Sequence, residues 1–188
     1  MALWVAVAGL LSGCAAALAP GYKVVDETRT VEFVPGSPPS LHISERYRLK
    51  NTGTTTLPFL DITLPEERAF EADDVRVGWN GQAINLEELP EEYRQDSPHT
   101  RRITFEPPWA RQQTGALDIE YAFGSRSDVG TRVTIGDQTF HLSSLGWAAL
   151  PQPPRHLLSP YPARPPKMAY SVRVPMDFLV LGRGKLKH

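Results

Sequence analysis

The chain has 188 residues, with 20 Lys+Arg against 21 Asp+Glu and a formal net charge of -1. No cluster of basic side chains stands out before the tail, and pairs such as Arg101-Arg102 are too short to make a phosphate-binding surface, so a nucleic-acid partner is excluded. One cysteine leaves no intrachain disulfide, and the roughly 170 residues after it make one domain that can bury about 70% of its unfolded surface in a core.

Residues 1–22 carry no charged side chain, and Ala2–Ala19 is an unbroken run of small and apolar residues. That is long enough for a membrane span at the lower limit of about 17–20 residues. A basic n-region is lacking beyond the terminal amine. Within the run, Leu11-Ser12-Gly13-Cys14 resembles the lipobox of bacterial lipoproteins, in which the cysteine becomes the lipidated first residue after cleavage. Two other readings stay open: a plain signal peptide and an uncleaved anchor helix. All three deliver the remainder across a membrane. The sequence therefore predicts an anchor or signal over 1–21, lipidation at Cys14, and an extracytoplasmic, membrane-attached domain over 22–184.

The rest reads as β-structure. Weak alternation runs through Tyr22–Val34. In Leu41–Lys50, Leu41, Ile43, Tyr47 and Leu49 share one face, with His42, Ser44, Arg46, Arg48 and Lys50 on the other. Glu45 is the one polar residue in the apolar row, and a carboxylate buried there unpaired would cost several kcal/mol. It is expected near the sheet rim or beside an arginine. Asn51-Thr52-Gly53-Thr54 reads as a turn into the next strand, Leu60–Leu64. Val75–Trp79 and Gln82–Ile84 flank Asn80-Gly81, the favoured pair for a two-residue type I′ hairpin. Leu86–Arg94 is interrupted by Pro90 and holds a turn or two of helix at most. Arg101–Phe105 and Leu117–Phe123 follow, the latter setting Leu117, Ile119, Tyr121 and Phe123 against Asp118, Glu120 and Ala122. Gly136-Asp137 separates Val133–Ile135 from Phe140–Leu142. Many short strands with one apolar face and no helical layer predict an all-β antiparallel sandwich.

Seven of the eighteen prolines fall between Pro151 and Pro166. Lacking N–H groups and fixed in φ, they exclude a helix or an inner strand and favour stiff, polyproline-like chain. The segment leads into Tyr170–Val174, where Tyr170, Val172 and Val174 alternate with Ser171 and Arg173. This is a half-buried strand in which Val172 and Val174 are expected to face the core. Pro175 ends it, and Phe178–Leu181 opens another apolar run.

The order of Trp147, Pro151 and Pro154, then Val172, Val174 and Pro175 in a V-x-V-P strand, resembles the amino-terminal β domain of the M1 family of zinc aminopeptidases and their bacterial relatives. Upstream, Phe105-Glu106-Pro107-Pro108 followed by Leu117-Asp118-Ile119-Glu120-Tyr121 is similar to the family's F-x-P-L and L-x-I-x-Y strands. The resemblance covers roughly residues 22–184. It implies a non-catalytic scaffold that packs on a peptidase domain lying downstream, with residues 185–188 starting the linker. Any zinc belongs to that missing domain. In this chain no cofactor or metal site is expected, because none of His42, His99, His141, His156 and His188 has a second histidine within five residues and none precedes a glutamate.

Other chemistry is sparse. Ser143-Ser144 beside His141 reads as loop hydroxyls, and the adjacent pairs Glu66-Glu67, Glu87-Glu88 and Glu91-Glu92 read as solvated acids, not as carboxylates set across a cleft. Trp79, Trp109 and Trp147 suit either a sugar-stacking platform or core plugs. Trp79 shares a face with Val75 and Val77 and is assigned to the core. Trp109, in an expected loop after two prolines, is the candidate for ligand contact. The second functional reading is therefore a stand-alone, lipid-anchored envelope module that binds a protein or a glycan.

Overall fold

The computed structural model describes residues 21–64, 75–94, 99–124, 133–135, 140–142, 150–152 and 167–175. Its strands in chain order are β1 (Tyr22–Val34), β2 (Ser40–Asn51), β3 (Leu57–Thr63), β4 (Arg76–Trp79), β5 (Gln82–Ile84), β6 (Glu87–Glu88), β7 (Thr100–Trp109), β8 (Thr114–Gly124), β9 (Val133–Ile135), β10 (Phe140–Leu142), β11 (Leu150–Gln152) and β12 (Lys167–Arg173). One helical turn, α1 (Glu91–Arg94), precedes β7. It falls within the Leu86–Arg94 stretch.

A six-stranded sheet in the order β12-β1-β2-β8-β4-β5 faces a four-stranded sheet in the order β11-β3-β7-β6, and β9 and β10 form a separate hairpin pair. The two large sheets share one core. Leu41, Ile43, Leu49, Leu117, Ile119 and Phe123 come from the first, and Leu60, Ile62, Ile103 and Phe105 from the second. This is the predicted all-β sandwich, antiparallel except at one edge, where β12 runs parallel to β1, from Asp26 beside Lys167 to Glu32 beside Arg173. The register also holds: on β2 the even-numbered His42, Ser44, Arg46 and Arg48 lie exposed while Leu41, Ile43, Tyr47 and Leu49 are buried. On the outer face Arg46 grips Asp118 with two hydrogen bonds, at 2.6 and 3.2 Å.

Asn80 and Gly81 take positive φ values of 52° and 82°, the type I′ geometry whose twist suits a two-residue hairpin. The Asn80 side chain accepts a hydrogen bond from the Ala116 N–H at 2.8 Å, which ties the turn to β8.

Two expectations are corrected. Val172 is 41% exposed and not buried: β12 is the edge strand, and only β1 flanks it within the sheet. Val174, by contrast, is half-buried and packs against the core. Trp109 is not in a loop. It ends β7 and pairs with Leu57, while Pro107 and Pro108 occupy an irregularity where β7 leaves its register with β3. A residue without an N–H fits at such a bulge, since no ladder bond is asked of it. Pro151 also obeys this logic, on the edge strand β11 opposite Ile62. Trp147, the rest of the proline-rich segment and Phe178–Leu181 lie outside the described residues.

Candidate functional site

Two features of the sandwich combine polar chemistry with burial. The first is an ion cluster on the inner face of the six-stranded sheet. On β1 a register shift between Val24 and Asp26 moves the inward phase by one residue, from Tyr22 and Val24 to Glu27, Arg29, Val31 and Phe33. Antiparallel pairing then sets Arg29 opposite Glu45 and Glu27 opposite Tyr47. Glu27, Arg29 and Glu45 are 4%, 6% and 2% exposed.

Arg29 pairs with Glu27, and its Nε lies 3.2 Å from Glu45 Oε1. The same Oε1 accepts a hydrogen bond from the Tyr121 hydroxyl at 3.2 Å, and Oε2 accepts one from Tyr47 at 3.3 Å. Arg29 Nη2 in turn donates to the Tyr47 oxygen at 3.1 Å. So Glu45 pairs with an arginine, as expected, but it does so on a central strand and not at the rim. Burial pushes the Glu45 carboxyl up to about 8; Arg29 and the tyrosine hydroxyls oppose that shift and Glu27 adds to it. Glu27 is also raised, again by burial, with Arg29 and Tyr47 opposing. Two acids on one guanidinium in a dry site favour keeping one proton. Facing inward between packed strands, the cluster links β1, β2 and β8.

The second feature is a groove of about 680 Å³ between the β4–β5 hairpin and the end of β7. Trp79 is its half-buried aromatic wall, with ring centroids 4.6 Å from Phe105 and 5.0 Å from Trp109. Trp109 continues to Tyr22 at 6.2 Å, so four aromatic rings run in series from the groove to the start of β1. Trp109 is 4% exposed, and its Nε1 is buried with no hydrogen-bond partner among the described residues. Its carbonyl accepts a hydrogen bond from Asn51 Nδ2 at 3.1 Å. The β7–β8 connection brings Gln113 to the groove, and there Gln112 takes a positive φ of 61° while its N–H donates to the Asn51 carbonyl at 3.0 Å.

The remaining candidate residues that the structure describes scatter. Cys14 lies outside the described residues, as do Ser143-Ser144, Glu66-Glu67, His156 and His188. His42 is exposed on β2, His99 is exposed before β7, and His141 falls on β10. Among the described residues no three His, Cys, Asp or Glu side chains converge as a metal site. Glu87 and Glu88 are exposed on β6; Glu88 pairs with Arg101 at 3.1 Å, and Glu87 accepts from Thr104 at 2.9 Å. Sequence reasoning missed Glu27 and Arg29, although they share the period-two phase of Val31 and Phe33. It also missed Asn51, whose buried side chain has no sequence signature beyond a turn residue.

No family model and no curated protein matches the chain. Among solved structures it is similar to an M1 zinc metallopeptidase from Deinococcus radiodurans, at 19% identity and a TM-score of 0.37, over 56% of this chain and 21% of that one. A mutant two-domain M1 zinc metallopeptidase bound to L-tryptophan gives 18% identity and a TM-score of 0.38, over 63% and 24%. The chain thus spans less than a quarter of these structures' length. The all-β class stands on the strand pairing itself.

Proposed function

We propose that this chain is a non-catalytic, extracytoplasmic β-sandwich that serves as the amino-terminal scaffold of an M1-type metallopeptidase-like protein. The observation that carries the reading is where its family-like segments fall. Phe105 of the F-x-P-P segment is on β7, Leu117–Tyr121 is on β8, and Val172 ends β12 with Arg173, just before Val174 and Pro175. These segments are consecutive or edge strands of one sandwich, and Phe105, Leu117, Ile119 and Tyr121 point into its shared core. A sealed ion cluster and a packed core suit a rigid support for a neighbouring domain. In this reading zinc and peptide hydrolysis belong to that neighbour, and the membrane is reached through the apolar leader.

The test is the coding frame beyond His188. An H-E-x-x-H with a downstream glutamate within roughly a hundred codons is expected, since that spacing places two imidazoles on one helical face. A stop codon directly after His188 would sink the scaffold reading. The second reading is a stand-alone envelope module with a ligand of its own, for which the aromatic groove offers a place without deciding between the two.

A further inference from the structure

The groove beside Trp79 has the composition of a ligand site and, among its described lining residues, no cationic side chain. Its volume of about 680 Å³ lies within the range of small-molecule clefts. Trp79 is held in place: its six-membered ring lies where a Cβ at Gly115 would collide with it, Phe105 and Trp109 pack against it at 4.6 and 5.0 Å between centroids, and the ring stays half-exposed in the groove wall. On the rim, Gln82, Asn85 and Gln113 are exposed and present side-chain amides, which offer a donor and an acceptor at once. Among the described lining residues there is no Lys, Arg or His, so a phosphate or carboxylate ligand would meet no counter-charge from them. Two carboxylates, Glu87 and Glu106, are present. In a groove this open, solvent screens their attraction for a cation, but they still accept hydroxyl hydrogens. Finally, the buried Trp109 Nε1 is a donor without an acceptor among the described residues, and its ring lines the groove.

We propose that this groove binds a neutral oligosaccharide, with one sugar ring stacked on Trp79 and its hydroxyls held by Gln82, Asn85 and Gln113. A pyranose has an apolar C–H face and a hydroxyl edge, which matches an indole wall beside a row of amides. The proposal is independent of the scaffold role, because a binding groove serves an attached domain and a stand-alone module alike.

The test uses the full-length chain labelled with nitrogen-15, titrated with cellotriose and with the N-acetylglucosamine trimer. Spermidine and inorganic phosphate are the charged controls. Trp79→Phe and Trp109→Phe identify the resonances of these two indoles among the chain's four tryptophans. Saturable shifts of both indoles with at least one trisaccharide are expected. The exposed double variant Gln82→Ala/Gln113→Ala should weaken binding about threefold or more, the loss of ordinary neutral hydrogen bonds, with its thermal unfolding midpoint unchanged. Absence of saturable shifts with both sugars overturns the proposal, as does unaltered affinity in the double variant. Saturation by spermidine with silence from both sugars overturns it in favour of a cation site. None of these outcomes depends on the codons after His188, so the two ideas fail separately.

Discussion

Asn51 holds Trp109 in place from 58 positions away. Its Nδ2 donates to the Trp109 carbonyl and to the Thr55 carbonyl, both at 3.1 Å, and its Oδ1 accepts from the Gly53 N–H at 2.9 Å. The same residue's backbone exchanges hydrogen bonds with Gln112 and Gln113. One fully buried amide therefore joins the β2–β3 turn, the end of β7 and the β7–β8 connection.

Asn51→Ala removes three hydrogen bonds and leaves two carbonyls without that donor, which should cost about 2–4 kcal/mol. Asn51→Asp should cost at least as much, because it sets a carboxylate against the same two carbonyls. Urea unfolding of each variant checks this, with an unchanged midpoint in Asn51→Ala as the contrary result.

Glu45 gives the fold a pH dependence of definite sign. Its carboxyl is raised from 4.5 to about 8 in the folded chain. The folded state therefore binds more protons than the unfolded one over that window, and stability contributed by the protonated group is fully present below 4.5 and lost as the pH rises through about 8. Glu27, also raised, acts in the same sense. Urea midpoints of the wild type should fall between about pH 5 and about pH 8 more steeply than those of Glu45→Gln, which has no carboxylate to ionise there. Parallel curves for the two proteins would remove Glu45 as the source.

Gly115 is conformationally ordinary but sterically required. A Cβ built at this position runs into the six-membered ring of Trp79. Gly115→Ala should destabilise the sandwich by about 1–3 kcal/mol through overpacking. Trp79→Val should relieve the clash, so the double variant should lose less than the sum of the single changes. Strict additivity in a double-mutant cycle would show that the two positions do not compete for space.

Cys14 is the residue on which the proposed lipid anchor rests. If it is lipidated, a fatty-acid analogue should label the wild type and not Cys14→Ala, and the variant should persist as an unprocessed precursor. Acyl chains contribute roughly 0.8 kcal/mol per buried methylene, so two or more make attachment stable. A plain signal peptide predicts no label and soluble protein in both forms. An uncleaved anchor predicts membrane retention in both. Equal label in the two proteins, or none in either, takes Cys14 out of the lipid attachment.

The sandwich was legible where local pattern and tertiary burial agree. The rows Leu41–Leu49 and Leu117–Phe123 alternate because one face of each strand is packed, and Asn80-Gly81 names its own turn geometry. What escaped depends on contacts that no window of sequence contains. The inward aim of Glu27 and Arg29 follows from a bulge that shifts the phase of β1, and their burial is tolerable only because Glu45, Tyr47 and Tyr121 arrive from two other strands. Trp109 looked like a loop residue because two prolines precede it. The strand bulges at those prolines and resumes opposite Leu57. Of the groove, the sequence singled out Trp109 as a ligand contact but assigned Trp79 to the core, while Gln82, Asn85 and Gln113 converge only when the hairpin folds beside β7.

The parallel alignment of β1 and β12 sets the polarity of whatever is joined to the two strands. Chain leading into Tyr22 enters at one end of the sheet, whereas chain following Arg173 departs beside Glu32, at the other. Ten residues of β1 separate these points, roughly 33 Å at strand rise. If the proposed lipid tether lies on the entering side and β1 stands along the membrane normal, the chain after Arg173 leaves about one strand length further from the bilayer than the anchor.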